Sequence, residues 1–157
     1  MNQMMDMIRK LDFLQRFCEF SQFLTVMQPH MKKVLIVEDH ADIRKLLHMT
    51  LEFEDFEIYE AANGDTGLEM ARSHAPDVVL LDVMMPGTLS GLEVCRCIKA
   101  NPALRHTKVI MLTARGQAED RQNGMNAGAD EYLVKPFSTI QVLETVYRLE
   151  AAHDQNH

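Results

Sequence analysis

The sequence predicts an α/β fold: a doubly wound, five-stranded parallel sheet with helices on both faces, preceded by an N-terminal helical extension. From Lys33 onward, short apolar, β-branched runs alternate with longer amphipathic stretches. Three of the runs, at 34–37, 78–81 and 109–112, are almost wholly apolar, as strands covered on both faces must be. The joins between runs are short turns such as Asn63-Gly64 and Ala127-Gly128. Right-handed crossovers between such units place helices on both sides of a parallel sheet.

Taken in order, VLIV at 34–37 opens the sheet and leads into an amphipathic helix at 43–53. EIYE at 57–60 precedes a helix at 66–73, and VVLL at 78–81 precedes one at 92–99. VIML at 109–112 is followed by a helix at 118–127, and EYLV at 131–134 by a last helix at 140–150. The expected organisation is a domain at 31–152, an appended segment at 1–30 and a tail at 153–157, consistent with a 157-residue chain. Hydrophobic residues at 46% and charged residues at 25% place it among soluble globular proteins.

Sixteen Lys and Arg against 23 Asp and Glu give a net charge of -7, a field that repels nucleic acid and anionic membranes. Asp6, Arg9, Lys10 and Asp12 interrupt any signal-peptide core, and no run is long enough to span a bilayer, so a cytoplasmic location is expected. Cys18, Cys95 and Cys97 have the spacing of neither a zinc site nor a redox pair.

In this architecture ligands bind at the carboxyl ends of the strands. The residues there are Glu38 and Asp39 after the first strand, Asp82 after the third, Thr113 after the fourth and Lys135 after the fifth. Three carboxylates converging on one edge repel by several kcal/mol at about 4 Å, so they call for a cation. An oxygen-only donor set with open positions suits Mg²⁺, with Mn²⁺ as its substitute. Lys135 supplies a second positive charge and the Thr113 hydroxyl a hydrogen bond, so Asp82 is the carboxylate expected to attack phosphorus. Singly, these residues also read as a strand exit, a helix cap, a turn residue and a surface turn; their joint order at successive strand exits points to a site.

From Lys32 to about Glu150 the chain resembles the receiver domain of response regulators, on VLIVEDH, VVLLDVMMPG, VIMLTA and GADEYLVKPF. The resemblance implies a flavodoxin-like strand order, 2-1-3-4-5, and a single-domain, chemotaxis-type regulator in two-component signalling. It implies that Asp39 and Asp82 bind Mg²⁺ directly, that Glu38 acts through the ion's water shell, and that Met84 contributes its backbone carbonyl. Asp82 would be the phosphorylation site. Thr113, the Ala114 amide and Lys135 would hold phosphate oxygens, with the backbone of Met84 nearby, and Lys135 would precede a cis bond to Pro136. Thr113 and Tyr132 would form the switch: phosphate draws the Thr113 hydroxyl inward and opens space for the Tyr132 ring. The switching surface would be the fourth helix, fifth strand and last helix of the domain, and Met84 and Arg115 occupy positions that tune phosphoryl lifetime in this family. The loop Gly87-Thr88-Leu89-Ser90 is one residue longer than the common form.

The implied partners are a sensor histidine kinase or histidine phosphotransfer protein and an unspecified downstream protein, with no nucleic acid and no membrane. The chain would not be an enzyme beyond catalysing its own phosphorylation and dephosphorylation. No output domain follows Glu150 in this sequence, so signalling through binding is expected, or relay of the phosphoryl group to another protein's histidine. A phosphohydrolase of the haloacid dehalogenase type is the rival reading. It wants a second Asp two positions after the first, where Met84 stands. A nucleotide or flavin module lacks its glycine-rich loop here.

Residues 1–30 hold four of the seven Phe and five of the twelve Met. Phe13, Phe17, Phe20, Leu24 and Met27 form one helical seam, and Met4, Met7, Leu11, Leu14 and Cys18 another, with Pro29 ending the helix. One seam would pack on the chain's own domain and the other on a second copy, giving a homodimer through residues 4–27. The alternatives are that Met31 is the true start, or that the segment binds a membrane surface weakly, for which it lacks a strongly basic face.

Overall fold

A computed structural model of the chain describes residues 2–27, 31–114 and 118–154, with the side chains of residues 2, 20–27, 118–120 and 152–154 outside that description. It forms two compact units, Met1–His30 and Met31–His157. The second runs β1 (Lys32–Val37), α2 (Ala41–Glu52), β2 (Phe56–Ala61), α3 (Gly64–His74), β3 (Val78–Asp82), α4 (Gly91–Ala100), a 3-10 turn (Pro102–Leu104), β4 (Lys108–Thr113), α5 (Ala118–Asn126), β5 (Glu131–Val134) and α6 (Thr139–Asp154). Every strand pairing is parallel, and the order is β2-β1-β3-β4-β5, as the resemblance implied.

Alternation along the strands builds two cores. Leu35, Val37, Val79, Leu81, Val109 and Met111 point to one face, where Leu68 and Ala71 of α3 and Val94, Cys95 and Ile98 of α4 cover them. Val34, Ile36, Val78, Leu80, Ile110 and Leu112 point to the other, against Leu47 and Leu51 of α2 and Val142 and Val146 of α6. Each large aliphatic side chain buried this way contributes about 1.5–3 kcal/mol, so the central strands are the rigid part of the fold.

The structure corrects the predicted boundaries in one way that matters for the site. Asp82 and Thr113, expected just beyond their strands, are instead the last residues within β3 and β4, in register with Leu112 and Val134. Apolar patterning marks where side chains are buried, whereas the backbone ladder continues as long as a neighbouring strand offers partners. Both groups therefore sit on the sheet itself. Asn63-Gly64 likewise does more than turn the chain, since the Asn63 side chain accepts from the Thr66 amide at 2.9 Å and caps α3. At Ala127-Gly128 the glycine adopts φ +95°, which a side chain would strain.

The first unit is a helix, α1 (Asn2–Met27). Met4, Met7, Leu11 and Leu14 of one predicted seam are exposed, as are Phe13 and Phe17 of the other, whose rings stack at 6.5 Å. The side chains of Phe20, Leu24 and Met27, and Pro29 as the helix stop, lie outside the described residues. Among the described residues no helix is long and apolar enough to cross a membrane.

Candidate functional site

The site forms where β1, β3, β4 and β5 end side by side. β1 stops at Val37, and the Glu38 amide donates to the Ala61 carbonyl at 3.1 Å, so Glu38 turns its side chain under the sheet edge, fully buried. Its Oε2 accepts from Lys135 Nζ at 2.8 Å and its Oε1 from the His40 amide at 3.2 Å. Arg44 of α2 donates to the Glu38 carbonyl at 2.9 Å and fixes the turn from the other side. A buried carboxylate is tolerable only when paired and hydrogen-bonded, and Glu38 has both.

Asp82 is 3% exposed at the end of β3. Its Oδ1 accepts from the Met84 amide at 3.2 Å and lies 3.5 Å from Lys135 Nζ. Lys135 therefore sits between two carboxylates, nearer Glu38 than Asp82. The Lys135 amide donates to the Thr113 carbonyl at 2.6 Å, which ties the lysine backbone to the end of β4. The Lys135-Pro136 bond is cis.

Electrostatics separates the two aspartates. Burial, a hydrogen bond that its protonated form donates to Asp39, and the charge on Glu38 raise Asp82 from 3.8 to about 7, against a lowering by Lys135. For Asp39, partial burial works upward, but hydrogen bonds with Asp82 and Glu38 and the charge of His40 prevail and hold it below its ordinary value. The cup thus carries more negative charge than Lys135 neutralises. One donor atom from each of Glu38, Asp39, His40 and Asp82 lies within 4.8 Å of the others. The three carboxylates supply oxygen donors that fit a hard divalent cation, and His40 adds a ring nitrogen beside them.

Thr113 is 2% exposed at the end of β4, next to the exposed Ala114. The Tyr132 ring on β5 is buried in the core shared with Met111, facing Gly124 of α5, where an added Cβ would come within 3.2 Å of the ring. Arg115 lies outside the described residues.

Residues 34–147 match the family model described as the response regulator receiver domain. The chain belongs to the response regulator receiver family. This receiver is similar to the transcriptional regulatory protein ResD of Bacillus subtilis, 47% identical over 122 residues, which are 78% of this chain and 49% of that protein. It spans about half the length of the curated relatives it matches. Among solved structures it is similar to the chemotaxis protein CheY4 of Vibrio cholerae, 34% identical, covering 76% of this chain and 98% of that one with a TM-score of 0.71. It is also similar to the receiver domain of the sensor histidine kinase PA1611 of Pseudomonas aeruginosa, 28% identical, covering 76% and 97% with a TM-score of 0.70. That domain was solved with a magnesium ion coordinated in its active-site cleft.

Two residues of the receiver site escaped the sequence reading. A Cβ on Gly91 would lie 2.1 Å from the Asp82 carbonyl oxygen, so only glycine lets α4 start against the end of β3. Ser90 and Glu93 close that start with a reciprocal capping box, and the Gly91 amide donates to the Val83 carbonyl at 3.1 Å. The longer loop at 87–90 is accommodated by Gly87 at φ +120°. The Ser-Gly-x-Glu pattern at 90–93 was the available signal. The other residue is His40, directly after the acidic pair.

Proposed function

We propose that this receiver takes a phosphoryl group on Asp82 from a phosphohistidine on a sensor kinase or phosphotransfer protein. The observation that carries the reading is the buried Asp82 carboxylate at the end of β3, with Lys135 Nζ at 3.5 Å and the Glu38-Asp39 turn opposite. A carboxylate oxygen of Asp82 attacks phosphorus, the bond from phosphorus to the donor's imidazole nitrogen breaks, and the imidazole leaves with its electron pair and is neutralised by a proton. Asp39, Asp82 and the Met84 carbonyl would hold Mg²⁺ or Mn²⁺, with Glu38 behind them. When bound, the ion supplies positive charge that offsets the phosphoryl oxygens and aligns the donor. Lys135 provides the second positive charge, and the Thr113 hydroxyl and Ala114 amide donate to the remaining oxygens. Beside Lys135, Ile43, Leu46, Pro136 and Phe137 line an apolar hollow that suits contact with the protein donor.

The phosphorylated state would signal through α5, β5 and α6, because Thr113 and Tyr132 connect the acceptor to that face. Its output is a protein contact, in keeping with a net charge of -7. With Met84 where a phosphohydrolase would place its second aspartate, the chain is a phosphoryl acceptor and not a turnover enzyme. The exposed methionines and phenylalanines of α1 support self-association through residues 4–27, which sedimentation of the full chain against a chain starting at Met31 would test. The acceptor is tested by incubation with acetyl phosphate and Mg²⁺ followed by intact mass. The wild type gains one phosphate and Asp82→Asn none; equal labelling of both, or release of phosphate in steady turnover, overturns the reading.

A further inference from the structure

His40 occupies a position that the phosphoacceptor reading does not use. Its backbone is fixed on both sides: the amide donates to Glu38 Oε1 at 3.2 Å, and the carbonyl accepts from the Arg44 amide at 2.9 Å at the start of α2. The side chain is 69% exposed, and its Nδ1 lies within hydrogen-bond distance of Asp39 Oδ1, at 3.2 Å, and 3.4 Å from Glu38 Oε1. The imidazole therefore lies on the mouth of the acidic cup, at a distance from the carboxylate oxygens that neighbouring donors to one ion commonly show.

We propose that His40 is a nitrogen ligand to the cation in this cup, and that it turns the site toward divalent transition ions such as Co²⁺, Ni²⁺ and Zn²⁺. This rests on the metal-assisted acceptor reading and adds to it a preference among metals. Carboxylate and water donors suit Mg²⁺, which accepts imidazole poorly; the transition ions accept it readily. An exposed ring can replace one water of the bound ion with little desolvation, while the buried Glu38 and Asp82 keep the cup in place. The bland account is that His40 merely pairs with the carboxylates across the rim. The two accounts differ in what happens when the nitrogen donor is replaced by a side chain that still forms hydrogen bonds.

Calorimetric titration of the metal-free chain with CoCl₂ and with MgCl₂ separates them, alongside the visible spectrum of bound Co²⁺. The variants are His40→Ala, His40→Gln and Asp82→Asn. Loss of a direct ligand should weaken Co²⁺ by on the order of 10- to 100-fold, at least what removing a supporting residue costs, and shift its spectrum, in both His40 variants. Mg²⁺ affinity should stay within about twofold in the same variants, because magnesium does not use the nitrogen. Co²⁺ affinity and spectrum unchanged in His40→Ala, with Mg²⁺ still bound and lost in Asp82→Asn, would overturn the role of His40 and leave the acceptor reading intact. So would a loss confined to His40→Ala and absent from His40→Gln. Binding of neither ion to the wild type, or Mg²⁺ binding indifferent to Asp82→Asn, would remove the acceptor reading and this inference together.

Discussion

Replacing Asp82 by Asn should stabilise the metal-free protein, and the gain should grow with pH. The carboxyl group is 3% exposed and faces Glu38 and Asp39, so its ionised form is disfavoured and its folded value rises from 3.8 to about 7. Because the folded value lies above the unfolded one, the protonated group's contribution is fully present below about pH 3.8. It is lost as pH climbs to about 7. At about 1.4 kcal/mol for each tenfold change in proton affinity, the whole contribution is about 4 kcal/mol. Of this, roughly 2–3 kcal/mol disappears between pH 5 and pH 8, since the unfolded carboxyl is already ionised over that range. Asn is the same size and keeps no charge to lose. Urea unfolding in EDTA should therefore show wild type falling relative to Asp82→Asn by that amount from pH 5 to pH 8. Adding Mg²⁺ at pH 8 should recover much of the difference in wild type alone, because a ligand of the native state stabilises by mass action. Parallel pH profiles for the two proteins, or a variant weaker than wild type at pH 8, would refute the claim that the cup is overcharged when empty.

Lys135→Met should cost about 3 kcal/mol, because it strands the fully buried Glu38 carboxylate, and Glu38→Gln in the same chain should recover part of that; a double-mutant cycle by urea unfolding reads the coupling. Gly91→Ala should destabilise by about 3 kcal/mol, at the upper end of overpacking costs, because its Cβ meets the Asp82 carbonyl rather than a yielding side chain. Acetyl phosphate labelling of the folded fraction should fall with it, and unchanged labelling would show that the loop does not position the acceptor. Tyr147 donates its hydroxyl to Glu54, a bond that favours the protonated phenol and pushes it up to about 12. Absorbance titration should show one tyrosine ionising last, and Tyr147→Phe should remove that step.

The parts of this molecule that were legible in the sequence are those governed by short-range pattern. Short β-prone runs of four residues, three of them almost wholly apolar, located all five strands, and the family motifs ordered them into the sheet. Glu38, Asp39, Asp82, Thr113 and Lys135 could be placed at one edge because topology brings strand ends together whatever the side chains do. What pattern could not reveal was the partner each group chooses. Lys135 lies closer to Glu38 than to Asp82, a contact between residues 97 apart in sequence with no compositional mark. At Gly91 the Ser-Gly-x-Glu pattern marks a helix start, but the space its missing side chain leaves beside Asp82 is a property of the fold alone. His40 had no role in the sequence reading, and its place emerges only from the ring's distance to two carboxylates.

The unequal contacts of Lys135 bear on how the two halves of the site cooperate. At rest the lysine neutralises Glu38, which has no exposed surface on which water could take over that task. A phosphoryl group on Asp82 would bring new anionic oxygens toward the same ammonium, and Lys135 could turn to them only by leaving a buried carboxylate uncompensated. That exchange is costly unless a second positive charge reaches Glu38 and Asp39 at the same moment. A cation in the cup meets this need, so metal and phosphoryl group should each favour the other's presence through one lysine, and linkage makes that preference reciprocal. On this reading a dependence on a divalent ion would follow from the burial of Glu38 as much as from the chemistry at phosphorus.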